Sequence, residues 1–141
     1  MPTISSLVRA FFDQAFNGGN LAIVDELVSL DCSTHMPGWG IPANRLGLKQ
    51  MIAHLRTAFP NLQCLIEDEI EQEDKLAALW TMRGSHTGIF LGNAPTGRSV
   101  AMQGFIFMRT AKGQIVENWI LIDQMGLLQQ LGIVPPPRGN R

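Results

Sequence analysis

The sequence predicts an α+β domain in which N-terminal helices cover one face of an antiparallel sheet. Three observations predict it. Apolar residues recur with a helical period up to Phe59 and with a period of two from Leu62 onward. Turn-forming clusters then divide the second half into strands of similar length. Finally, 141 residues with 45% hydrophobic and 16% charged content suit one compact core. The domain is expected over residues 1–134, followed by a loose tail at 135–141 whose prolines fit neither a helix nor a central strand.

Ile4, Leu7, Val8, Phe11, Phe12 and Ala15 form the apolar stripe of a first helix, stopped by Asn17-Gly18-Gly19. Asn20 is placed to cap a second helix reaching residue 30, with a short strand expected at 32–36. Pro37-Gly38-Trp39-Gly40-Ile41-Pro42 reads as a loop. Asn44 then caps a third helix, with Leu48, Met51, Ile52, Leu55 and Phe59 on one face and Pro60 as its stop. Leu62, Cys64, Ile66 and Ile70 alternate with polar residues, as a strand with one wet face requires. Further strands are expected at 76–87, 99–110 and 114–123, separated by Gly92-Asn93-Ala94-Pro95-Thr96-Gly97 and Ala111-Lys112-Gly113. A last short helix is expected near 126–131.

The strand around Val100-Ala101-Met102-Gln103-Gly104-Phe105-Ile106-Phe107-Met108 is apolar on both faces. Helices can cover only one of them. The other needs a second subunit or a cavity, because a bare apolar sheet face aggregates. Both a pocket and a homodimer through the outer sheet face are therefore expected.

Several function classes are disfavoured. A net charge of −1 exerts no long-range pull on phosphate backbones, so a nucleic-acid partner is not expected. No apolar stretch is long enough for a membrane span, and Met1-Pro2-Thr3-Ile4-Ser5 lacks a basic leader segment. Cys32 and Cys64 have neither metal-site spacing nor disulfide density, which suits buried thiols in a reducing cytoplasm. No phosphate loop, metal motif or nucleophile elbow is found, so neither metal nor cofactor is expected. The acids between Glu67 and Asp74 read as a solvated strand face and turn. Tyrosine is absent, which removes the phenol as an acid or oxyanion donor.

Asp123 ends the apolar run Trp119-Ile120-Leu121-Ile122. Two roles fit it. Buried there, a carboxyl group would have a raised pKa and could give and take a proton in one cycle. Alternatively, it caps the last helix. His86 shares strand parity with Leu76, Ala78, Trp80 and Met82, and is either a catalytic imidazole or a satisfied core residue. Gln103 interrupts an apolar strand, so its amide needs a partner, a ligand carbonyl or a neighbouring side chain. Arg83 and Arg109 fit surface ion pairs. Trp39, Trp80, Phe90, Phe105 and Trp119, with His35 and Met51, are the candidate lining for a hydrophobic, carbonyl-bearing and ring-bearing small molecule.

Phe59-Pro60-Asn61-Leu62, Ser85-His86-Thr87-Gly88-Ile89-Phe90-Leu91-Gly92, Pro95-Thr96-Gly97-Arg98, Glu117-Asn118-Trp119 and the stretch from Asp123 to Gly132 together resemble the SnoaL-like polyketide cyclases. The resemblance runs over residues 4 to 132. It implies the cone of the nuclear-transport-factor-2-like superfamily, with three N-terminal helices on a curved mixed, mostly antiparallel sheet around an apolar pocket. It also implies cofactor-independent intramolecular aldol cyclisation of an anthracycline-type keto-ester. Asp123 occupies the position of that family's acid–base residue, and Gln103 fills one place of a polar pair on the preceding strand. Phe105 stands where the second member, a histidine, is expected. His86 belongs to the family's His-Thr-Gly turn.

Two other readings remain open at this level. An epoxide hydrolase or isomerase on the same fold would need a second aspartate to complete an Asp–Arg–Asp relay, and an isomerase of the ketosteroid type would need a tyrosine. A non-catalytic binding protein would leave Asp123 as a cap. Fold alone does not choose among them.

Overall fold

The computed structural model describes residues 3–136 and 138. The remainder of the expected tail, Pro137 and residues 139–141, lies outside the described residues. Helix α1 (Ile4–Ala10) runs without a break into a wider π-helical segment (Phe11–Asn17). There follow α2 (Ala22–Leu27), β1 (Val28–His35), α3 (Arg45–Ala58), β2 (Gln63–Gln72), β3 (Lys75–Ser85), β4 (Ser99–Ala111), β5 (Gln114–Ile122) and α4 (Gln124–Gln130). One mixed sheet has the order β1-β5-β4-β3-β2, antiparallel except for the β1–β5 pair.

Local chemistry accounts for most boundaries. Thr3 caps α1 by accepting the Ser6 N–H, and Asn44 caps α3 by accepting the Gly47 N–H, each at 3.0 Å. The π-helical segment was not expected. Its wider turn gathers Phe11, Phe12 and Phe16, with the Phe11–Phe16 and Phe12–Phe16 ring centroids both 5.3 Å apart. Asn20 does not cap α2, which has Leu21 at its N-cap and ends at Leu27 rather than residue 30. Pairing with β5 explains the early end, because Val28 is already aligned with Ile115.

Beneath the helices, β3 presents Leu76, Ala78, Trp80 and Met82, all buried. Burial of each large side chain of this kind contributes about 1.5–3 kcal/mol. Trp80 lies flat across β4 at Gly104. A Cβ there would overlap the indole and stand 2.7 Å from the Leu121 carbonyl oxygen, so only glycine admits the ring. Ile70 departs from expectation. A bulge between Ile66 and Asp68 reverses the parity of β2, leaving Ile70 on the outer face and 73% exposed.

Residues 86–98 cross the end of α3 as a strap. The N–H groups of Thr87 and Gly88 both donate to the Ala58 carbonyl, which satisfies the helix terminus. Phe90 is fully buried, and the turn after it holds Leu91 at φ +48°, a left-handed conformation unfavourable for leucine. Two histidines hold this strap. The Leu91 N–H donates to His54 Nε2 at 3.3 Å, and the Thr96 N–H donates to His86 Nδ1 at 3.1 Å. Both imidazoles are therefore acceptors, and protonation at those nitrogens breaks both bonds. The His54 ring also stacks on Phe90 and meets Trp39 edge-on.

Burial holds His54 below its ordinary pKa of 6.5. The unfolded chain thus takes up a proton that the folded chain resists, so the stability from this group is complete above about pH 6.5 and declines as pH falls toward the lowered native value. Thermal unfolding between pH 7.5 and 5 checks this (about one measurement per half pH unit). His54→Gln keeps an acceptor but cannot titrate, so its melting temperature should fall less with acidification than that of the wild type. Equal slopes contradict the strap assignment.

Candidate active site

On a strand, successive side chains point to opposite faces. In β4 this sends Val100, Met102, Ile106 and Met108 under the helices, where all are buried, and Gln103, Phe105 and Phe107 to the outer face. In β5, Asn118 and Ile120 go inward while Glu117, Trp119 and Leu121 go outward. Gly104 is aligned with Ile122 and Phe105 with Leu121. One step further, Gln103 stands opposite Asp123, whose N–H donates to the Gln103 carbonyl at 3.0 Å. A solvent-open groove of about 420 Å³ forms there, lined by Leu79, Gln103, Gly104, Phe105, Leu121, Ile122 and Asp123.

Asp123 is exposed, not buried as the apolar run before it suggested. The run is apolar because both faces of the sheet are apolar, not because β5 ends in the core. Asp123 also caps α4, its Oδ1 accepting the Gly126 N–H at 2.9 Å. The Gln103 side-chain amide is exposed and has no protein partner among the described residues. The groove thus offers a carboxylate and an amide donor side by side on apolar walls. Leu79, Leu121 and Ile122 were not singled out from the sequence. Parity could have found Leu79 and Leu121, since both share Phe105's outer face.

The other candidates divide between the two faces. His35, Phe105 and Trp119 lie on the outer face. His35 stacks on Trp119 with ring centroids 4.0 Å apart and pairs with Glu117 at 3.2 Å. Glu117 in turn pairs with Arg109 at 2.7 Å. The Arg109 hydrogen bond, followed by that of His35, holds the Glu117 carboxyl below its usual range. Met51, Trp80 and Phe90 are buried on the helix side, and Trp39 packs on His54 and Phe90 beside the strap. A sheet separates these sets, so they cannot line one pocket. His86 is fully buried, bonded to Thr96 and absent from the groove walls.

Four buried side-chain polar atoms have no partner among the described residues: Trp80 Nε1 and Asn118 Oδ1 beneath the helices, His86 Nε2 in the strap and Glu69 Oε2 beside α1. The Asn118 amide reaches only the Cys32 sulfur, at 3.9 Å. Both cysteines are free and buried, and burial pushes the Cys64 thiol up to about 12. No group of three His, Cys, Asp or Glu side chains able to hold a metal occurs among the described residues. Among the described residues, no helix is long and apolar enough to cross a membrane.

The comparisons agree with this architecture. IdmH from Streptomyces antibioticus, called a candidate polyketide cyclase, is 30% identical, with a TM-score of 0.81 over 91% of this chain and 97% of its own. AclR from Streptomyces galilaeus, called a candidate hydroxylase, is 25% identical, with a TM-score of 0.83 over 95% and 83%. A SnoaL-like polyketide cyclase from Agrobacterium tumefaciens, 21% identical, shares the fold with a TM-score of 0.76 over 94% of this chain and 100% of its own. No curated protein matches by sequence. The expected cone-like α+β fold is found, and the pattern of one family covers residues 6–131. The chain belongs to the SnoaL-like polyketide cyclase family.

Proposed function

We propose that this chain closes a ring in a carbonyl-bearing polyketide by intramolecular aldol reaction, without a cofactor, at the outer groove. The observation that carries the reading is the direct pairing of Asp123 with Gln103 between apolar walls. The Asp123 carboxylate removes a proton from the carbon next to a ketone or ester carbonyl. The Gln103 amide donates to the oxygen on which negative charge collects. The carbanion carbon attacks a second carbonyl, forming the carbon–carbon bond, and the new alkoxide takes the proton back from Asp123. Atoms and electrons balance within one molecule, as an isomerisation requires. A single proton-transfer group supplies about 10²–10⁴-fold, and alignment of the two carbons on the walls supplies much of the remainder. His86 acts in this reading only by holding the strap.

The exposed outer face supports a homodimer as well. Phe105, Phe107, Trp119 and Leu121 are 58%, 41%, 43% and 54% exposed and adjoin one another across β4 and β5. A contiguous apolar patch of this kind marks an interaction surface. A second copy of the chain covers the Phe107 and Trp119 part of this patch and leaves Phe105 and Leu121 to the groove.

A second reading is favoured by the unpartnered Trp80 Nε1 and Asn118 Oδ1: binding without catalysis on the helix side, with Asp123 a cap alone.

Asp123→Asn separates charge from capping, because asparagine caps helices as well as aspartate does. The variant should melt at the wild-type temperature while cyclisation of an anthracycline-type keto-ester, followed by absorbance and product mass, falls by at least about 10². Asp123→Ala should also lose about 1 kcal/mol of stability through the missing cap. Full turnover by Asp123→Asn overturns the proposed mechanism. For the dimer, light scattering should give twice the chain mass for the wild type and the single mass for Phe107→Asp; a monomeric wild type at micromolar concentration contradicts it.

A further inference from the structure

Arg83 stands apart from the other arginines of the sheet and helices. Arg109 pairs with Glu117, Arg45 with Asp25 and Arg9 with Glu69, while Arg56 and Arg98 donate to backbone carbonyls. Arg83 is exposed on β3 and has no side-chain partner among the described residues. Its cross-strand neighbours are Gln63 and Ala101, neither of which carries charge. The small Ala101 side chain leaves room beside it. A second groove of about 420 Å³ opens there, lined by Asn61, Gln63, Arg83, Gly84, Ser85, Ser99 and Val100.

This groove adjoins that of Asp123 along β4, on the same face and toward the same end of the sheet. Arg83 is aligned with Ala101 and Asp123 stands opposite Gln103. Two strand spacings and two residue rises separate them, giving a Cα–Cα distance of about 12 Å. The two charges form no ion pair among the described residues. The distance is short enough for one small molecule to touch both. Around Arg83, Asn61 is fixed by its bonds to Ser85, donating from Nδ2 to Oγ at 3.3 Å and accepting the Ser85 N–H at 2.8 Å. The Ser85 and Ser99 hydroxyls donate to no protein acceptor among the described residues. A guanidinium flanked by unused hydroxyl donors, with no carboxylate acceptor, suits a planar anion.

We infer that Arg83 anchors a carboxylate on the molecule whose ring system lies along Phe105 and Leu121, making the preferred ligand an aromatic or polycyclic acid. The inference rests on the reading of the outer groove as the site. It also gives the anchor an electrostatic purpose. A carboxylate drawn toward Arg83 is held away from the like charge of Asp123, which orients the neutral carbonyl end toward the base.

The test compares naphthalene-2-carboxylate with the neutral naphthalene-2-carboxamide by titration calorimetry at low ionic strength. The wild type should bind the acid about fivefold more tightly than the amide, the scale of one exposed ion pair. Added salt should shrink that preference. Arg83→Gln should abolish it while leaving amide affinity unchanged, and Arg83→Lys should retain part of it. A wild type that binds neither probe, one without the preference, or a preference that survives Arg83→Gln overturns the inference. Asp123→Asn should keep the preference. Loss of the anchor alone therefore leaves the Asp123 mechanism intact, whereas a fully active Asp123→Asn removes the mechanism and leaves the anchor standing.

Discussion

The alternation of side chains along β3, β4 and β5 constrains everything else in this molecule. These central strands are apolar in both directions, and the helices can cover only one. On that side the demand for close packing is met by the Phe11, Phe12 and Phe16 cluster, by Trp80 lying over Gly104 and by the inward face of α3. The buried titratable side chains among the described residues are the two cysteines and His86. On the outer side the same alternation lines up Gln103, Phe105, Asp123 and Leu121, which places polar chemistry beside apolar wall without burying a charge.

An open groove has a physical consequence. Water competes for Asp123 and Gln103 until something covers them. A ligand lying on Phe105 and Leu121 displaces part of that water, and a second copy packed on Phe107 and Trp119 would raise the wall further. The proposed dimer and the proposed site thus depend on the same apolar surface. The strap at 86–98 contributes differently. Phe90, His54 and Trp39 fill the space between α3 and the loops, so this end of the core is closed by aromatic contact and two backbone-to-imidazole hydrogen bonds.

Much of the fold is legible in the sequence because its signals are local. The change of period at Leu62, the Asn44 cap and the glycine-bearing turns each act within a few residues, and the structure follows them closely. Where local pattern and tertiary pairing compete, pairing wins. β1 begins at Val28 because β5 aligns with it, and a bulge invisible in the alternation of β2 turns Ile70 outward. The candidate site was legible residue by residue but not as a surface. Asp123, Gln103 and Phe105 do meet, whereas Trp80, Met51 and Phe90 lie behind the sheet. Composition marks Phe105, Trp80, Met51 and Phe90 alike as aromatic or apolar lining, and strand parity separates Phe105 from Trp80. Counting parity through Gln103, Phe105 and Leu121 would have shown their common face. The burial of Asp123 could not have been judged in that way, because an apolar run on a two-sided sheet resembles one inside a core.

The central claim is that ligand binds on the outer face, at the Asp123–Gln103 groove. Methyl-labelled protein titrated with naphthalene-2-carboxamide tests it most directly by nuclear magnetic resonance. The account predicts that the Leu79 and Leu121 methyl signals move while those of Leu76, Ile106 and Ile120, on the helix side, stay in place. Movement of the helix-side methyls alone would contradict the account and place the binding site in the interior beside Trp80 and Asn118.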